Sequence, residues 1–260
     1  MAQPNILLVM ADQLSAKALP AYGHEVVQAP ALSALADEGV VFENAYCNSP
    51  LCGPSRSSML TGQLPHRVGA YDNASELPAS QPTFAHYLRL NGYRTALSGK
   101  MHFVGPDQLH GYEERLTTDV YPSDFGWTPN WAEPEAKVRF QDMQNVLEAG
   151  PAARTMQIDY DDEAAYQANR WLYDRARDRD GRPFMLTVSF TSPHDPYVAQ
   201  PEFWDLYQDE EIDLPSVGPI PPEEMDAHSR RIHEHFSVGE ATVTEEVLRR
   251  ARHGYYAAIS

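Results

Sequence analysis

The run Cys52-Gly53-Pro54-Ser55-Arg56, continued by Ser57-Ser58-Met59-Leu60-Thr61-Gly62, decides how the rest of the chain is read. Proline is favoured at the first position of a helix, where its missing N–H has no partner to lose. Glycine just past the last turn is a common stop. The run therefore predicts a short helix opening at Pro54 and closing at Gly62, with Cys52 immediately before it. Backbone N–H groups at such an end, with the helix dipole behind them, favour an anion. Arg56, one turn on, adds a guanidinium directed to the same place. A thiol there is a candidate nucleophile precursor; the plainer reading is a small buried cysteine.

Upstream, Ile6-Leu7-Leu8-Val9-Met10 is apolar without alternation. That predicts a strand buried on both faces of a parallel sheet. It stops at Asp12-Gln13. Ligands gather at the carboxyl ends of strands in open α/β sheets, so Asp12 is a candidate metal ligand. A turn-forming aspartate is the alternative. Residues 30–36 predict a helix with Leu32 and Leu35 toward the core, and Val40-Val41-Phe42 a second strand leading into the Cys52 loop. Residues 82–90 predict a further helix. Residues 93–97 predict a strand ending in Ser98-Gly99-Lys100-Met101-His102. Residues 161–177 form a helix pattern with Ala164, Ala168, Trp171 and Leu172 in one stripe. Residues 184–190 are β-rich and end in Thr191-Ser192-Pro193-His194-Asp195-Pro196.

Strands alternating with helices imply an α/β fold, a mostly parallel (mixed) sheet flanked by helices. Asp12, Lys100, His102 and His194 then stand at strand ends, on one edge with Cys52. Residues 103–160 read as a loop-rich aromatic insertion, a type of segment that often carries function. Residues 209–240 are acidic and irregular; His228, His233 and His235 read there as parts of a solvated loop rather than a metal site. Residues 244–260 form a helix capped by Thr244 with no stop signal, which reads as a fragment.

The chain has 260 residues, 42% of them hydrophobic, enough for one large domain or two. A net charge of −17 argues against nucleic acid, whose phosphates need clustered Lys and Arg. It leaves room for a small anion held by a local cationic cluster, and suits a substrate with a cationic group of its own. Cys47 and Cys52 are the two cysteines, too few for a disulfide framework. The first apolar run is too short for a signal peptide or a membrane span, so a cytoplasmic protein with no membrane partner is expected.

Cys-x-Pro-x-Arg followed by Thr61-Gly62 resembles the sulfatase motif of the alkaline-phosphatase superfamily. The resemblance implies that a formylglycine-generating enzyme converts Cys52 to formylglycine; Gly53 departs from the commoner Thr or Ser. Asp12 resembles the family's first metal-binding aspartate. Gln13 replaces a second aspartate, as in the choline-sulfatase and phosphonate-monoester-hydrolase branch, where its amide oxygen can ligate. Ser98-Gly99-Lys100-Met101-His102 is similar to the Gly-Lys-x-His element, and Pro193-His194-Asp195-Pro196 to the Pro-His-x-Pro element. The implied catalytic set is Cys52, Arg56, Lys100, His102 and His194. The implied metal set is Asp12, Gln13 and the residue at Cys52. Oxygen ligands favour a divalent cation of the calcium type, with magnesium or manganese as alternatives. The family mechanism implies attack of the hydrated aldehyde on sulfur, protonation of the leaving alcohol by His194 or Lys100, and collapse of the sulfo-enzyme to aldehyde and sulfate.

Residues 99–111 and 121–129 are similar to choline-sulfatase, which implies choline sulfate as substrate. A quaternary ammonium is recognised by aromatic faces, so Trp127 is the candidate wall, with Asn145 beside it. Asn73, in Tyr71-Asp72-Asn73, matches a further substrate position. Rival readings are a phosphonate monoester hydrolase or phosphodiesterase, an aryl-sulfatase, and an inactive fragment or binding module. The family's later Asp-His metal pair and second lysine have no counterpart in these 260 residues. The chain is thus expected to be the N-terminal portion of a catalytic domain lacking its C-terminal half. It is expected to be inactive alone and to belong to a homo-oligomer when whole.

Overall fold

The computed structural model describes residues 3–121, 130, 132–133 and 142–260. Strands run over Ile6–Ala11 (β1), Arg94–Gly99 (β2), Glu114–Arg115 (β3), Gly150–Pro151 (β4), Phe184–Phe190 (β5) and Val198–Ala199 (β6). Helices run over Pro30–Glu38 (α1), Cys52–Thr61 (α2), Pro65–Val68 (α3), Phe84–Leu90 (α4), Gln144–Leu147 (α5), Met156–Arg177 (α6), Pro201–Trp204 (α7), Ala227–His235 (α8) and Glu245–Ile259 (α9). The described residues divide into two compact units. The first draws on Met1–Asp12, Asn44–Thr128 and Met156–Thr191; the second on Gln13–Glu43, Pro129–Thr155 and Ser192–Ser260.

The first unit is built on a sheet of order β1-β5-β2-β3, parallel throughout. Its central strands follow the period of two that a pleated strand imposes. Ala96 of β2 and Leu186 and Val188 of β5 pack with Ala168 and Trp171 of α6. The alternate residues, Leu97 and Met185, pack with Leu60 of α2 and Ala85 of α4. Helices thus cover both faces, and β2 and β5 are buried on both, as parallel strands usually are. The stripe Ala164, Ala168 and Trp171 is buried as its spacing predicts, on a helix that begins earlier, at Met156.

Four expectations need correction. β1 is an edge strand, with one strand neighbour among the described residues, and Leu7 and Val9 are 55% and 58% exposed because none of the described residues covers the face that carries them. An unbroken apolar run does not distinguish that position from a central one. Val40, Val41 and Phe42 form no strand; a strand needs a partner for its backbone ladder, and none of the described residues supplies one here. Leu32 and Leu35 are exposed on α1, so its apolar positions do not face a core among the described residues. Finally, α2 starts at Cys52 itself, with Leu51 as its cap residue and Pro54 in the third position. Proline remains tolerated there, because the first amides of a helix have no internal partner.

The second unit packs α9 over a core of Val27, Ala29, Ala199, Tyr207, Ile212, Tyr256 and Ala257, beside the parallel pair β4 and β6. Thr244 caps α9 through its hydroxyl, as expected. His253 is clamped: its ring stacks on Trp204 at 3.8 Å, and its Nδ1 lies 2.8 Å from Asp209 Oδ1. The stretch 209–240 is less irregular than its composition suggests. Asp226 caps α8 by accepting from the His228 and Ser229 amides. The Ser229 hydroxyl and these amides pull its carboxyl down to about 2. His228, His233 and His235 do not gather into a metal-binding group among the described residues. Part of the insertion, including Trp127, lies outside the described residues.

Gly99 closes β2 at φ 97, and a Cβ there would sit 1.9 Å from the Ser189 carbonyl oxygen of β5. Gly99→Ala should force the two central strands apart and cost on the order of 3 kcal/mol, read by denaturant unfolding. An unchanged unfolding midpoint would show that the strand ends are not this tightly apposed.

Candidate active site

The sheet register decides what meets at its carboxyl edge. β1 and β2 both pair with β5, with Ala11 opposite Phe190 and Gly99 opposite Ser189. Asp12 and Lys100 are the next residues along β1 and β2, so they emerge on the same edge, two strand spacings or about 10 Å apart. A lysine side chain is long enough to close most of that gap. Lys100 Nζ donates to Asp12 Oδ2, with the lysine fully buried and Asp12 8% exposed.

The start of α2 comes up against this pair. Cys52 Sγ lies 3.7 Å from each Asp12 oxygen and 3.8 Å from Lys100 Nζ. Arg56, one turn into α2 and buried, spreads its guanidinium over the strand ends. It donates to the Lys100 carbonyl at 2.7 Å and the Ser189 hydroxyl at 2.9 Å, and stands 3.7 Å from Asp12 Oδ1. One carboxylate therefore faces two cations, which leaves local positive charge beside Cys52 in a protein of net charge −17.

Burial alone would lower the Lys100 pKa. Tyr121, Asp12 and Cys52 outweigh it and hold the ammonium above the ordinary lysine value. The sign follows: the pair with Asp12 is intact at neutral pH and is lost only as pH rises through that raised value. Burial also pushes the Tyr121 phenol up, against the pull of the Lys100 ammonium. It touches Lys100 through its hydroxyl, 3.3 Å from Nζ, and through its ring, with Nζ 4.4 Å from the centroid.

His102 and Asn73 stand one bond further out. His102 Nε2 lies 2.9 Å from the Asn73 carbonyl; a carbonyl only accepts, so Nε2 carries the proton. Asn73 Oδ1 accepts from the Gly53 amide at 2.9 Å, capping the start of α2. His102 thus reaches the Cys52 helix through Asn73. Gly53 allows the approach, since a Cβ there would lie 3.2 Å from the Asp72 carbonyl.

Of the remaining candidates, Trp127 lies outside the described residues, and the others belong to the second unit. His194 follows β5 by four residues between two cis prolyl bonds, with Nδ1 3.1 Å from Asp195 Oδ1. Asn145 Nδ2 donates to the other oxygen of Asp195 at 2.5 Å, so Asn145 and His194 share one carboxylate. Gln13 is exposed, at φ 63, and its carbonyl accepts from Tyr255 at 2.8 Å. Sequence reasoning gave no individual role to Tyr121 or Ser189. Ser189 could have been found from the strand register; Tyr121 lies in a loop, where no period marks it.

Arg56→Met should leave the Lys100 carbonyl and the Ser189 hydroxyl without their donor. A loss of about 3 kcal/mol in denaturant unfolding is expected, although the side-chain volume is nearly kept.

The model of the family described as Sulfatase matches residues 4–258. A choline-sulfatase of Rhizobium meliloti is 53% identical over 99% of this chain and 51% of its own length. An arylsulfatase of Clostridium perfringens is 29% identical over 99% of this chain and 56% of its own. The fold is also that of the phosphonate monoester hydrolase of Agrobacterium radiobacter, at a TM-score of 0.67 and 22% identity, covering 99% of this chain and 56% of that one. The chain spans about half the length of the curated relatives it matches. Its matched span, its parallel sheet and its Cys52 helix agree: the chain belongs to the sulfatase family.

Proposed function

We propose that the whole protein, of which this chain forms the N-terminal part of the catalytic domain, hydrolyses choline O-sulfate to choline and sulfate. The observation that carries this reading is Cys52 at the start of a helix, with Asp12 at 3.7 Å and Lys100 at 3.8 Å. Sulfatases generally use a divalent cation and a formylglycine. The residues present fit both. Cys52 is the residue converted, and buried Asp12 offers hard oxygen donors beside it, with Gln13 next in the chain. That donor type favours calcium, with magnesium or manganese as alternatives. When bound, the two groups supply a nucleophilic hydroxyl and Lewis-acid polarisation of the sulfuryl oxygens.

The chain's own residues do the rest. Lys100, kept protonated, neutralises charge building on the sulfuryl oxygens, and its ammonium is pre-oriented by burial. Arg56 fixes the Lys100 backbone and the start of α2 in one frame. His102 and Asn73 steady the helix start. We assign to His194, with Asp195 beside its ring, the proton for the leaving alcohol. Choline sulfate is a zwitterion with no net charge. A chain of −17 does not repel it at long range, while the cationic cluster takes its sulfate end. The relative at 53% identity supports the same substrate. For the ammonium end we assign Trp127 and Asn145, with Asn73 toward the sulfate. A maturing enzyme acting on Cys52, a homo-oligomer, and a cytoplasmic place of action complete the proposal. Among the described residues no helix is long and apolar enough to cross a membrane.

The test is turnover by the whole protein on choline sulfate, an aryl sulfate and a phosphodiester. Choline sulfate should be preferred, and Cys52→Ala should remove at least about a thousandfold of the rate. Preference for the phosphodiester would keep the site and overturn the substrate. Stripping the protein with a chelator should abolish turnover, and calcium should restore it; full activity in the stripped protein would remove the cation from the scheme.

A further inference from the structure

We infer that Asp119 is a positioning residue for this site, holding the turn that carries Lys100 and His102. The inference rests on the proposed sulfate-ester hydrolysis for its consequence, and on geometry alone for the anchoring itself. One oxygen of Asp119 accepts three successive backbone amides: Met101 at 3.1 Å, His102 at 2.7 Å and Phe103 at 3.3 Å. Its other oxygen accepts from the Val120 amide at 3.0 Å. Successive N–H groups converging on one point form a nest for an anion, and here the anion is a side chain of the same protein. The carboxylate is 2% exposed, so water does not compete for it.

The turn needs such a holder. His102 sits at φ 61, a left-handed conformation that a residue with a side chain adopts at a cost. Two residues before it, the Lys100 amide is tied to Ser189 and the Lys100 carbonyl to Arg56. Asp119 fixes the following three residues, and the two sets of bonds together define where the Lys100 and His102 side chains start. Arg115 supplies the countercharge. Its Nη2 donates to Asp119 at 2.8 Å and its Nη1 to the Gln108 carbonyl at 3.1 Å. Gln108 in turn donates to the Phe103 and Gly105 carbonyls at 3.0 and 2.8 Å. The turn is thus gripped on its amides by Asp119 and on its carbonyls by Gln108, with Arg115 joining the two.

The test uses Asp119→Asn in the whole protein. Asparagine keeps the size but offers only partial charge to four donors, and its NH2 meets the Val120 amide. Three readings are taken: amide hydrogen exchange over residues 100–105, kcat and KM on a sulfate ester, and the unfolding midpoint. Exchange at residues 101–103 should quicken about tenfold or more. The rate constant kcat should fall roughly 10- to 100-fold with little change in KM, and the midpoint should move only a few degrees. Unchanged exchange, or activity lost only in proportion to unfolded protein, overturns the proposal. If that variant does not fold, Arg115→Gln leaves the carboxylate in place and should shift exchange and kcat the same way by less; no shift there overturns it equally. Should the unmutated protein fail to hydrolyse sulfate esters, the functional reading falls, while the exchange measurement still decides the anchoring.

Discussion

The contact between Lys100 and Asp12 is the constraint on which the rest of this structure depends. Both charges are out of water, and removing two ions from water costs several kcal/mol each before their attraction returns any of it. The pair is tolerable only because every neighbour contributes. Arg56 adds a second cation to Asp12, Tyr121 offers Lys100 a hydroxyl and a ring face, and the parallel register delivers the two backbones to one edge. A slip of one residue in β1 or β2 would turn the side chains to the other face of the sheet. That edge therefore depends on the packed centre of the first unit, where Leu97 and Met185 lock one face and Ala96 and Leu186 the other.

Around that pair the protein uses backbone groups as much as side chains. Asn73 caps the Gly53 amide, Arg56 takes the Lys100 carbonyl, and Asp119 takes three amides in a row. Buried polar groups in low dielectric are costly when unpaired and stiffening when fully paired. The residues at the strand ends are accordingly held by short bonds to main chain, which has fewer ways to relax than a long side chain. This is how positions as far apart in sequence as Asp12, Cys52, Lys100 and Asp119 come to act as one object.

The parallel α/β architecture was legible in the sequence, as were β1, β2, β5, α6 and α9, because long apolar runs and helical stripes are strong periodic signals. The strand-end residues were legible because polar residues follow directly where such runs stop. Val40 to Phe42 misled for the same reason: β-branched and aromatic residues report a preference for extended chain, not the presence of a partner. Leu32 and Leu35 likewise report a stripe and not what covers it. Asp119 and Tyr121 were not legible. Each is a single residue in a loop whose role exists only once the chain has brought it back to residues 100–103, and no local period records that return. The start of α2 was misjudged by two residues, since proline fits more than one place in a first helical turn.

One feature of β1 bears on how the chain behaves outside its finished setting. Its outward face carries Leu7 and Val9, and it has β5 alone as a strand neighbour among the described residues. An edge strand that is apolar and lacks an inward charge, a proline or a bulge offers a ready template for another extended chain. Residues 5–11 contain no charged residue and no proline. A chain whose β1 border is left open therefore exposes an adhesive edge, and its fate in a crowded cell, folding or clumping, turns on how quickly that border is occupied or guarded by a chaperone.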